Sequence, residues 1–163
     1  MIRPANTGDA DDIARIYNHY IQNTVITFEE QVVSPRQMAE RMREVDEASL
    51  PWLVAEQSGQ IAGYAYATKW KARSAYRFSV EITVYLEPGF VGQGWGSRLY
   101  EVLLARLKEK GVHSVIGGVA LPNAASVALH EKFGMQKVAH FNEVGFKFGK
   151  WVDVGYWQIT LSQ

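Results

Sequence analysis

The sequence predicts an α/β (α+β) domain in which a mixed, mainly antiparallel central sheet carries helices on both faces. Three observations support this prediction. The chain has 163 residues, the size of one domain, so residues 1–163 are expected to fold as a unit. Successive strand patterns joined by tight turns occupy residues 52–86. Strand, glycine turn, helix, strand and helix then alternate up to residue 133, and two further strand patterns end the chain.

The first half of the chain contains two predicted helices separated by an irregular stretch. Residues 2–5 are a strand candidate, and Thr7 or Asp9 can cap the helix that follows. β-Branched residues in 24–29 break the helical period, and Ser34-Pro35 starts a second helix with proline at its first position. The stretch between these helices is a candidate wall for a pocket. Three strands are then predicted, at 52–56, 61–69 and 78–86.

Turn and cap residues define the remaining elements. Ser58-Gly59 predicts a hairpin between the first two of those three strands. A helix that opens at Leu121-Pro122-Asn123 is stopped by Gly134, and Gly149-Lys150 predicts a final hairpin turn. The other predicted elements are a helix at 95–110 and strands at 115–119, 136–147 and 151–161.

Composition excludes several classes of function. Seventeen basic residues balance seventeen acidic ones without a run of either sign, so nucleic acid is not an expected partner. The absence of cysteine excludes disulfides, thiolate metal sites and a cysteine acyl intermediate, and no metal is expected. No apolar signal core or 18-residue apolar run occurs, so we expect no membrane association and a cytoplasmic protein.

A glycine-rich turn lies between the strand at 78–86 and the helix at 95–110. Glycines at 92, 94 and 96 let the main chain approach a ligand, and the following helix directs its N-terminal N–H groups and dipole to the same place. The spacing G-x-G-x-G differs from the dinucleotide fingerprint, and no Gly-Lys-Ser/Thr follows as in nucleotide triphosphate loops. We therefore predict a pyrophosphate cradle. The candidate residues are Val91, Gly92, Gln93, Gly94, Trp95, Gly96 and Ser97.

Glu81 is the candidate catalytic base. Alternation along the strand puts Val80, Ile82 and Val84 on one face and Glu81 on the other, with Thr83 and Tyr85. A carboxylate about ten residues before the cradle is close enough in sequence to serve as a general base for a ligand bound there. Without the cradle, a solvated polar face would explain the same pattern.

His130 is the second catalytic candidate. Asn123, Ser126, Val127 and His130 fall at helical spacing, so a mostly polar stripe ends in the histidine. A histidine on a helix is more often a surface or structural group, and this alternative stays open at the level of the sequence.

A polar turn on the rim of the predicted pocket contains Arg73, followed by Ser74, Ala75 and Tyr76. An arginine guanidinium can hold a carboxylate through two parallel hydrogen bonds. Taken alone, a solvated loop arginine fits equally well.

The glycine turn resembles the acetyl-coenzyme A loop of the GNAT N-acetyltransferases, whose pattern is Gln/Arg-x-x-Gly-x-Gly/Ala. Val91 departs from the first position of that pattern. Over nearly the whole chain the sequence resembles one branch of the family, the phosphinothricin, methionine sulfoximine and methionine sulfone N-acetyltransferases. The segments that carry this resemblance are Asn18-His19-Tyr20-Ile21, Pro51-Trp52-Leu53-Val54-Ala55-Glu56, Trp70-Lys71-Ala72-Arg73, Thr83-Val84-Tyr85, Leu121-Pro122-Asn123, His130-Glu131, Gly145-Phe146-Lys147, Trp151, Asp153-Val154-Gly155 and Trp157-Gln158.

The resemblance implies a GNAT fold and direct acetyl transfer from acetyl-CoA to a small amino acid in a homodimer. It implies that Glu81 and His130 are catalytic, and that Arg73 and its neighbours Ser74 to Tyr76 bind the amino acid, with Phe28 and Glu29 beside its side chain. Acetyl-CoA would be bound by the 91–97 loop and by a set of further residues, Thr83, Val84, Tyr85, Asn123 and Ser126. Two alternatives stay open, a non-catalytic sensor of coenzyme A or an amino acid, and an enzyme for another amine.

Overall fold

The computed structural model describes residues 1–161, and seven strands within that range form one sheet. The strands are β1 (Ile2–Pro4), β2 (Trp52–Gln57), β3 (Gln60–Lys69), β4 (Ser79–Leu86), β5 (Ser114–Leu121), β6 (Gln136–Lys147) and β7 (Lys150–Thr160). The sheet order is β1-β2-β3-β4-β5-β7-β6. Among these strands β4 and β5 pair in parallel and every other neighbouring pair is antiparallel, so the predicted mixed, mainly antiparallel sheet is confirmed.

The α-helices cover both faces of the sheet, as predicted. They are α1 (Ala10–Asn23), α2 (Pro35–Glu47), α3 (Trp95–Glu109) and α4 (Ala124–Lys132). Helices α1 and α2 form one apolar core with β2 and β3, in which Ile13 and Ile16 are fully buried. Helix α3 forms the core of the opposite face through Leu99, Leu103 and Leu107, which recur at intervals of four residues.

Most element ends follow the local residue chemistry predicted above. Ser34 caps α2 through a reciprocal pair of hydrogen bonds with Gln37, and proline stands at the first helical position. Gly134 adopts a left-handed conformation after α4, which only glycine adopts without strain. Ser58 and Gly59 form the turn of the β2–β3 hairpin, both with positive φ.

One local prediction is confirmed only in position, and one is wrong. Asp9 is the N-cap residue of α1, as predicted, but its side chain makes no capping hydrogen bond to that helix. Its carboxylate instead accepts the Asn6 N–H, and the Asn6 side chain caps the preceding 3-10 turn by accepting the Gly8 N–H. The last hairpin turns at Phe148 and Gly149, both with positive φ, and Lys150 already pairs with Lys147. Strand β7 therefore begins at residue 150 rather than at 151.

Candidate active site

The central cleft opens where β4 and β5 separate. These parallel strands pair over three residue pairs, of which the last joins Glu81 to Ile116. Both strands then continue, β4 to Leu86 and β5 to Leu121. From Ile82 onward the edge of β4 that faces β5 has no strand partner in the described sheet. Glu81 therefore lies at the apex of a cleft in which main-chain groups of β4 are available to a ligand.

A cavity of about 250 Å³ occupies this cleft. It brings together side chains that are far apart in the sequence and come from both sides of the sheet. Its lining consists of Ile26, Thr27, Phe28, Glu81, Ile82, Thr83, Val84, Tyr85, Tyr100, Gly118, Val119, Ala120, Asn123, Ser126, His130, Val154 and Tyr156. The predicted pair Glu81 and His130 thus shares one cavity with the predicted residues of β4 and α4.

Glu81 is a half-buried carboxylate whose position depends on a glycine of the neighbouring strand. A Cβ atom on Gly118 would lie 3.5 Å from Glu81 Oε2 and 3.0 Å from Tyr156 Cε1, so both side chains lie over this glycine. Burial raises the pKa of Glu81, and the positive charge of Lys71 lowers it. Desolvation has the larger effect on this pKa, so the net shift is upward. The Glu81 carboxylate is therefore a stronger base than an exposed glutamate.

His130 is buried in a fixed orientation against β5. Its Nδ1 lies 2.7 Å from the Ser126 carbonyl oxygen, which can only accept, so Nδ1 carries the hydrogen. Its Nε2 lies 3.4 Å from the Tyr100 hydroxyl. Burial lowers the pKa of His130, partly offset by the bond to Ser126, so the ring is neutral near pH 7. In this form Nε2 accepts a proton and does not donate one.

Gly117 provides the space for that imidazole. A Cβ atom on Gly117 would lie 2.4 Å from His130 Nε2 and 2.5 Å from His130 Cδ2, well inside van der Waals contact. The ring therefore packs directly on the main chain of β5.

The N-terminus of α4 contributes the other predicted residues to the cavity. Asn123 caps the helix through its side-chain oxygen, which accepts the Ser126 N–H at 3.1 Å. Both residues line the cavity with His130, so the three polar members of the predicted stripe face the cleft, whereas its fourth member, Val127, packs against the core. The cap leaves the carboxamide NH₂ group of Asn123 available to a ligand.

The glycine turn has the geometry of an anion cradle. Gly92 and Gly94 have φ of +84°, and a Cβ atom on either would meet open space. Helix α3 begins directly after Gly94, and the Arg98 N–H makes its first hydrogen bond, 3.1 Å to the Gly94 carbonyl. The N–H groups of the preceding turn therefore have no acceptor within the helix and can meet the negative charge of a phosphate.

Side chains of this turn have separate structural roles. The Trp95 indole is buried and donates to Gln57 at 3.2 Å, so this residue can offer a ligand its main chain only. Ser97 accepts a hydrogen bond from Lys132, while Val91 is exposed. Residues 91–97 do not line the cavity at Glu81 and form a neighbouring surface after the end of β4.

The structure does not bring the Arg73 turn to this cavity. Residues 73–76 are exposed and absent from the cavity lining, and Ser74–Tyr76 form a short 3-10 turn between β3 and β4. Among the described residues, the positive charge that lowers the pKa of Glu81 is that of Lys71 and not that of Arg73. Lys71 Nζ lies 5.0 Å from the centre of the Trp70 ring.

The segment between α1 and α2 forms a wall of the cavity, as the sequence predicted. Phe28 lines the cavity, but Glu29 does not. The Glu29 carboxylate accepts two hydrogen bonds from Arg41, at 2.7 and 2.8 Å, and one from the Tyr17 hydroxyl. These partners hold the pKa of Glu29 below its ordinary value, so it is an ionised structural group in this chain.

Sequence reasoning missed Tyr100, Tyr156 and the glycine pair at 117 and 118. Tyr100 shares the helical period of the buried leucines of α3, so the sequence could not separate it from the core. Gly117 and Gly118 gave a usable signal, because adjacent glycines inside a buried strand indicate close approach of another group.

Two kinds of feature are absent from residues 1–161. No group of three or more His, Cys, Asp or Glu side chains is arranged to hold a metal ion. No helix in this range is long and apolar enough to cross a membrane.

Comparison with known proteins gives consistent results for sequence and structure. Phosphinothricin N-acetyltransferase of Streptomyces viridochromogenes is 40% identical over 157 residues, which cover 96% of this chain and 85% of that protein. The L-methionine sulfoximine/L-methionine sulfone acetyltransferase of Salmonella typhimurium is 32% identical over 99% of this chain and 95% of that protein.

A solved structure supports the same relationship. The GNAT superfamily phosphinothricin acetyltransferase of Sinorhizobium meliloti, crystallised with acetyl-CoA, has a TM-score of 0.97 and 34% identity over 99% of this chain and 88% of that chain. The family described as an acetyltransferase (GNAT) domain matches residues 2–155. The chain therefore belongs to the GNAT acetyltransferase family, and its mixed α/β sheet is the GNAT fold, as the resemblance predicted.

Proposed function

We propose that this acetyl-CoA-dependent N-acetyltransferase acetylates the α-amino group of a small amino-acid analogue of the phosphinothricin, methionine sulfoximine or methionine sulfone type. Two relatives that match almost the whole chain are named for these acceptors. The observation that carries the proposal is the position of Glu81, a half-buried carboxylate at the point where β4 and β5 separate, in one cavity with His130.

The residues present fit acetyl-CoA, which supplies the acetyl group as a thioester. Gly92 and Gly94 leave open space above an N–H-rich turn, which suits the pyrophosphate. The unpaired edge of β4 from Thr83 to Tyr85 suits the amide groups of the pantetheine arm, which can bond to it as an added strand does. Asn123 and Ser126 line the opposite side of the cleft.

Glu81 acts as the base in the proposed mechanism. An ammonium group has no free electron pair, so it must lose a proton before its nitrogen attacks the thioester carbonyl. The Glu81 carboxylate takes this proton, directly or through water, and general-base help of this kind is worth roughly a hundred- to ten-thousandfold in rate. We assign stabilisation of the developing oxyanion to the Val84 N–H, and the unpaired edge of β4 beyond Glu81 supports this assignment.

His130 handles the second proton. Its neutral ring has a free electron pair at Nε2, so it accepts a proton from the substituted nitrogen and then donates that proton to the departing thiolate. Transfer takes place in a ternary complex without an acyl-enzyme, which is consistent with a chain that contains no cysteine.

The acceptor carboxylate is assigned to the turn that contains Arg73. This turn lies apart from the cavity within one chain, so a movement of the turn or a second subunit has to complete the site. We propose a homodimer, supported by the exposed apolar side chains that β6, β7 and their turn present. They are Val138, Phe141, Val144, Phe146, Phe148 and Trp151. A cytoplasmic location and a role in detoxifying amino-acid analogues complete the proposal and rest on composition and on the named relatives.

The test is a thiol-release assay with acetyl-CoA and a panel of amines. The panel contains phosphinothricin, methionine sulfoximine, methionine sulfone, their decarboxylated counterparts and a polyamine. We expect turnover with the amino acids, intersecting double-reciprocal plots, and little activity without the carboxylate. Binding of acetyl-CoA without thiol release for any acceptor would support a non-catalytic sensor instead. Preference for the decarboxylated amines would contradict the assignment of Arg73 to the acceptor carboxylate.

A further inference from the structure

The segment between α1 and α2 forms one wall of the cavity without helix or strand structure of its own. Ile26, Thr27 and Phe28 line the cavity opposite His130 and Asn123. A loop of this kind depends on its side-chain and main-chain contacts for a fixed position, because it has no ladder of backbone hydrogen bonds.

Helices α1 and α2 hold this segment from one side. The Thr27 hydroxyl lies 2.7 Å from the Tyr17 hydroxyl, which also donates to Glu29. Arg41 closes the group with two hydrogen bonds to the Glu29 carboxylate. The cluster joins two residues of the segment to both helices.

The hairpin of β6 and β7 holds the segment from the other side, through a residue 120 positions away in the sequence. Lys147 Nζ donates to the Thr27 carbonyl oxygen at 2.8 Å. The Phe28 ring lies against the main chain of β6 at Gly145, where a Cβ atom would be 2.3 Å from Phe28 Cε2. The hairpin therefore contacts two consecutive residues of the cavity wall.

Lys147 is buried, with 1% of its surface exposed, although lysine is rarely found inside a protein. Burial lowers the pKa of Lys147, while the carboxylates of Glu30 and Glu29 act in the opposite direction. A buried ammonium is costly unless it is hydrogen-bonded and paired with opposite charge. The charge-assisted bond to Thr27 offsets that cost and ties the lysine to the segment.

We propose that Lys147 is a positioning residue for the acceptor: with Gly145 it clamps Thr27 and Phe28 against β6, and so sets the width of the acceptor side of the cavity. This inference rests on the proposed function, because it assigns the wall at residues 26–28 to the acceptor and not to acetyl-CoA. The glycine turn leads into α3, whereas Lys147 and Gly145 contact Thr27 and Phe28.

The experiment compares Lys147→Met with Lys150→Met in the full-length protein. Methionine keeps the length of the side chain and removes the ammonium group. Lys150 pairs with Lys147 across the turn but is exposed, so it controls for the loss of one positive charge from the hairpin. Amide hydrogen exchange of residues 24–30 is measured without substrate, with α3 as the internal reference, followed by Michaelis constants for both substrates.

For Lys147→Met we expect faster exchange in residues 24–30 and a rise of about tenfold in the acceptor KM, with the acetyl-CoA KM within twofold of wild type. Lys150→Met is expected to change none of these. Unchanged exchange in Lys147→Met would overturn the clamp. Faster exchange with an unchanged acceptor KM would overturn its role in acceptor binding.

A second variant keeps the proposal testable if Lys147→Met does not fold. Gly145→Ala leaves the ammonium group in place and displaces the Phe28 ring, so it is expected to raise the acceptor KM and spare that of acetyl-CoA. An unchanged acceptor KM in Gly145→Ala would by itself contradict the proposal that contact of Thr27 and Phe28 with β6 controls acceptor binding. If the wild-type protein acetylates no acceptor, the proposed function fails, whereas the exchange measurement still decides whether Lys147 fixes the segment.

Discussion

Gly117→Ala tests whether the position of His130 controls turnover. The new methyl group would lie 2.4 Å from His130 Nε2 and 2.5 Å from Cδ2, whereas non-bonded carbon atoms approach to about 3.5 Å. The imidazole must therefore move by about 1 Å away from β5. Because Nδ1 is bonded to the Ser126 carbonyl at 2.7 Å, the ring cannot tilt without weakening that bond.

The expected effect on catalysis is large compared with the effect on stability. A misplacement of about 1 Å in an active site can cost about a hundredfold in rate. Loss of one neutral hydrogen bond costs about 0.5–1.5 kcal/mol in the free energy of unfolding. We therefore expect kcat to fall by about a hundredfold while the protein stays folded at the assay temperature, with little change in the KM for acetyl-CoA.

The assay is thiol release at saturating acetyl-CoA and acceptor, with a thermal melt for each variant. Gly89→Ala is the control, since a Cβ atom there meets nothing within 4 Å and the residue does not have positive φ. A double-mutant cycle with His130→Ala shows whether the effect passes through the histidine, because Gly117→Ala should then cost little more. Wild-type kcat in Gly117→Ala, or an equal loss in the His130→Ala background, would show that Gly117 does not control turnover through the position of His130.

Two further predictions concern the cradle and the electrostatics of the base. Gly94→Val places a β-branched residue at φ of +84°, a backbone conformation that valine rarely adopts. We expect this variant to bind acetyl-CoA about tenfold or more weakly than Gln93→Ala, as measured by calorimetry. Equal affinities of the two variants would contradict binding of acetyl-CoA by the glycine turn. Lys71 lowers the pKa of Glu81, so Lys71→Met should shift the acidic limb of kcat/KM to higher pH. Lys69→Met, at a nearby exposed lysine, should leave that limb in place, and an unshifted profile for Lys71→Met would contradict the electrostatic assignment.

Local sequence rules predicted the elements of the fold because each signal lies within a few residues. The helix at 95–110 was predicted within one residue of α3, since Gly94 and the glycine turn mark its start. The cap of the first α-helix was only partly predictable. Asp9 stands at the N-cap position, but Arg3 donates to both of its carboxylate oxygens, a tertiary contact that no local pattern contains, and the side chain does not cap the helix.

Cavity residues could be predicted only where the spacing of residues within a single strand or helix indicates them. Strand alternation put Glu81 on the correct face, and helical spacing aligned Asn123, Ser126 and His130 along the cavity. The separation of β4 from β5 is a property of two strands that are more than thirty residues apart, so no local pattern contains it. The same holds for Lys147, whose sequence context indicates an ordinary strand lysine and whose partner lies at Thr27.

The pH dependence of acetyl transfer by Glu81→Gln tests most directly whether Glu81 is the base. The substitution keeps the shape of the side chain and removes proton acceptance. We predict that kcat at neutral pH falls by at least about a hundredfold and that acetyl-CoA affinity, measured by calorimetry, stays near wild type. Activity should partly recover as the pH approaches the pKa of the free amine. In wild type the rate should rise through an ionisation above the ordinary glutamate pKa, because burial raises the pKa of Glu81. Near wild-type turnover of Glu81→Gln at neutral pH, with chemistry shown to limit the rate, would contradict the assignment of Glu81 as the base.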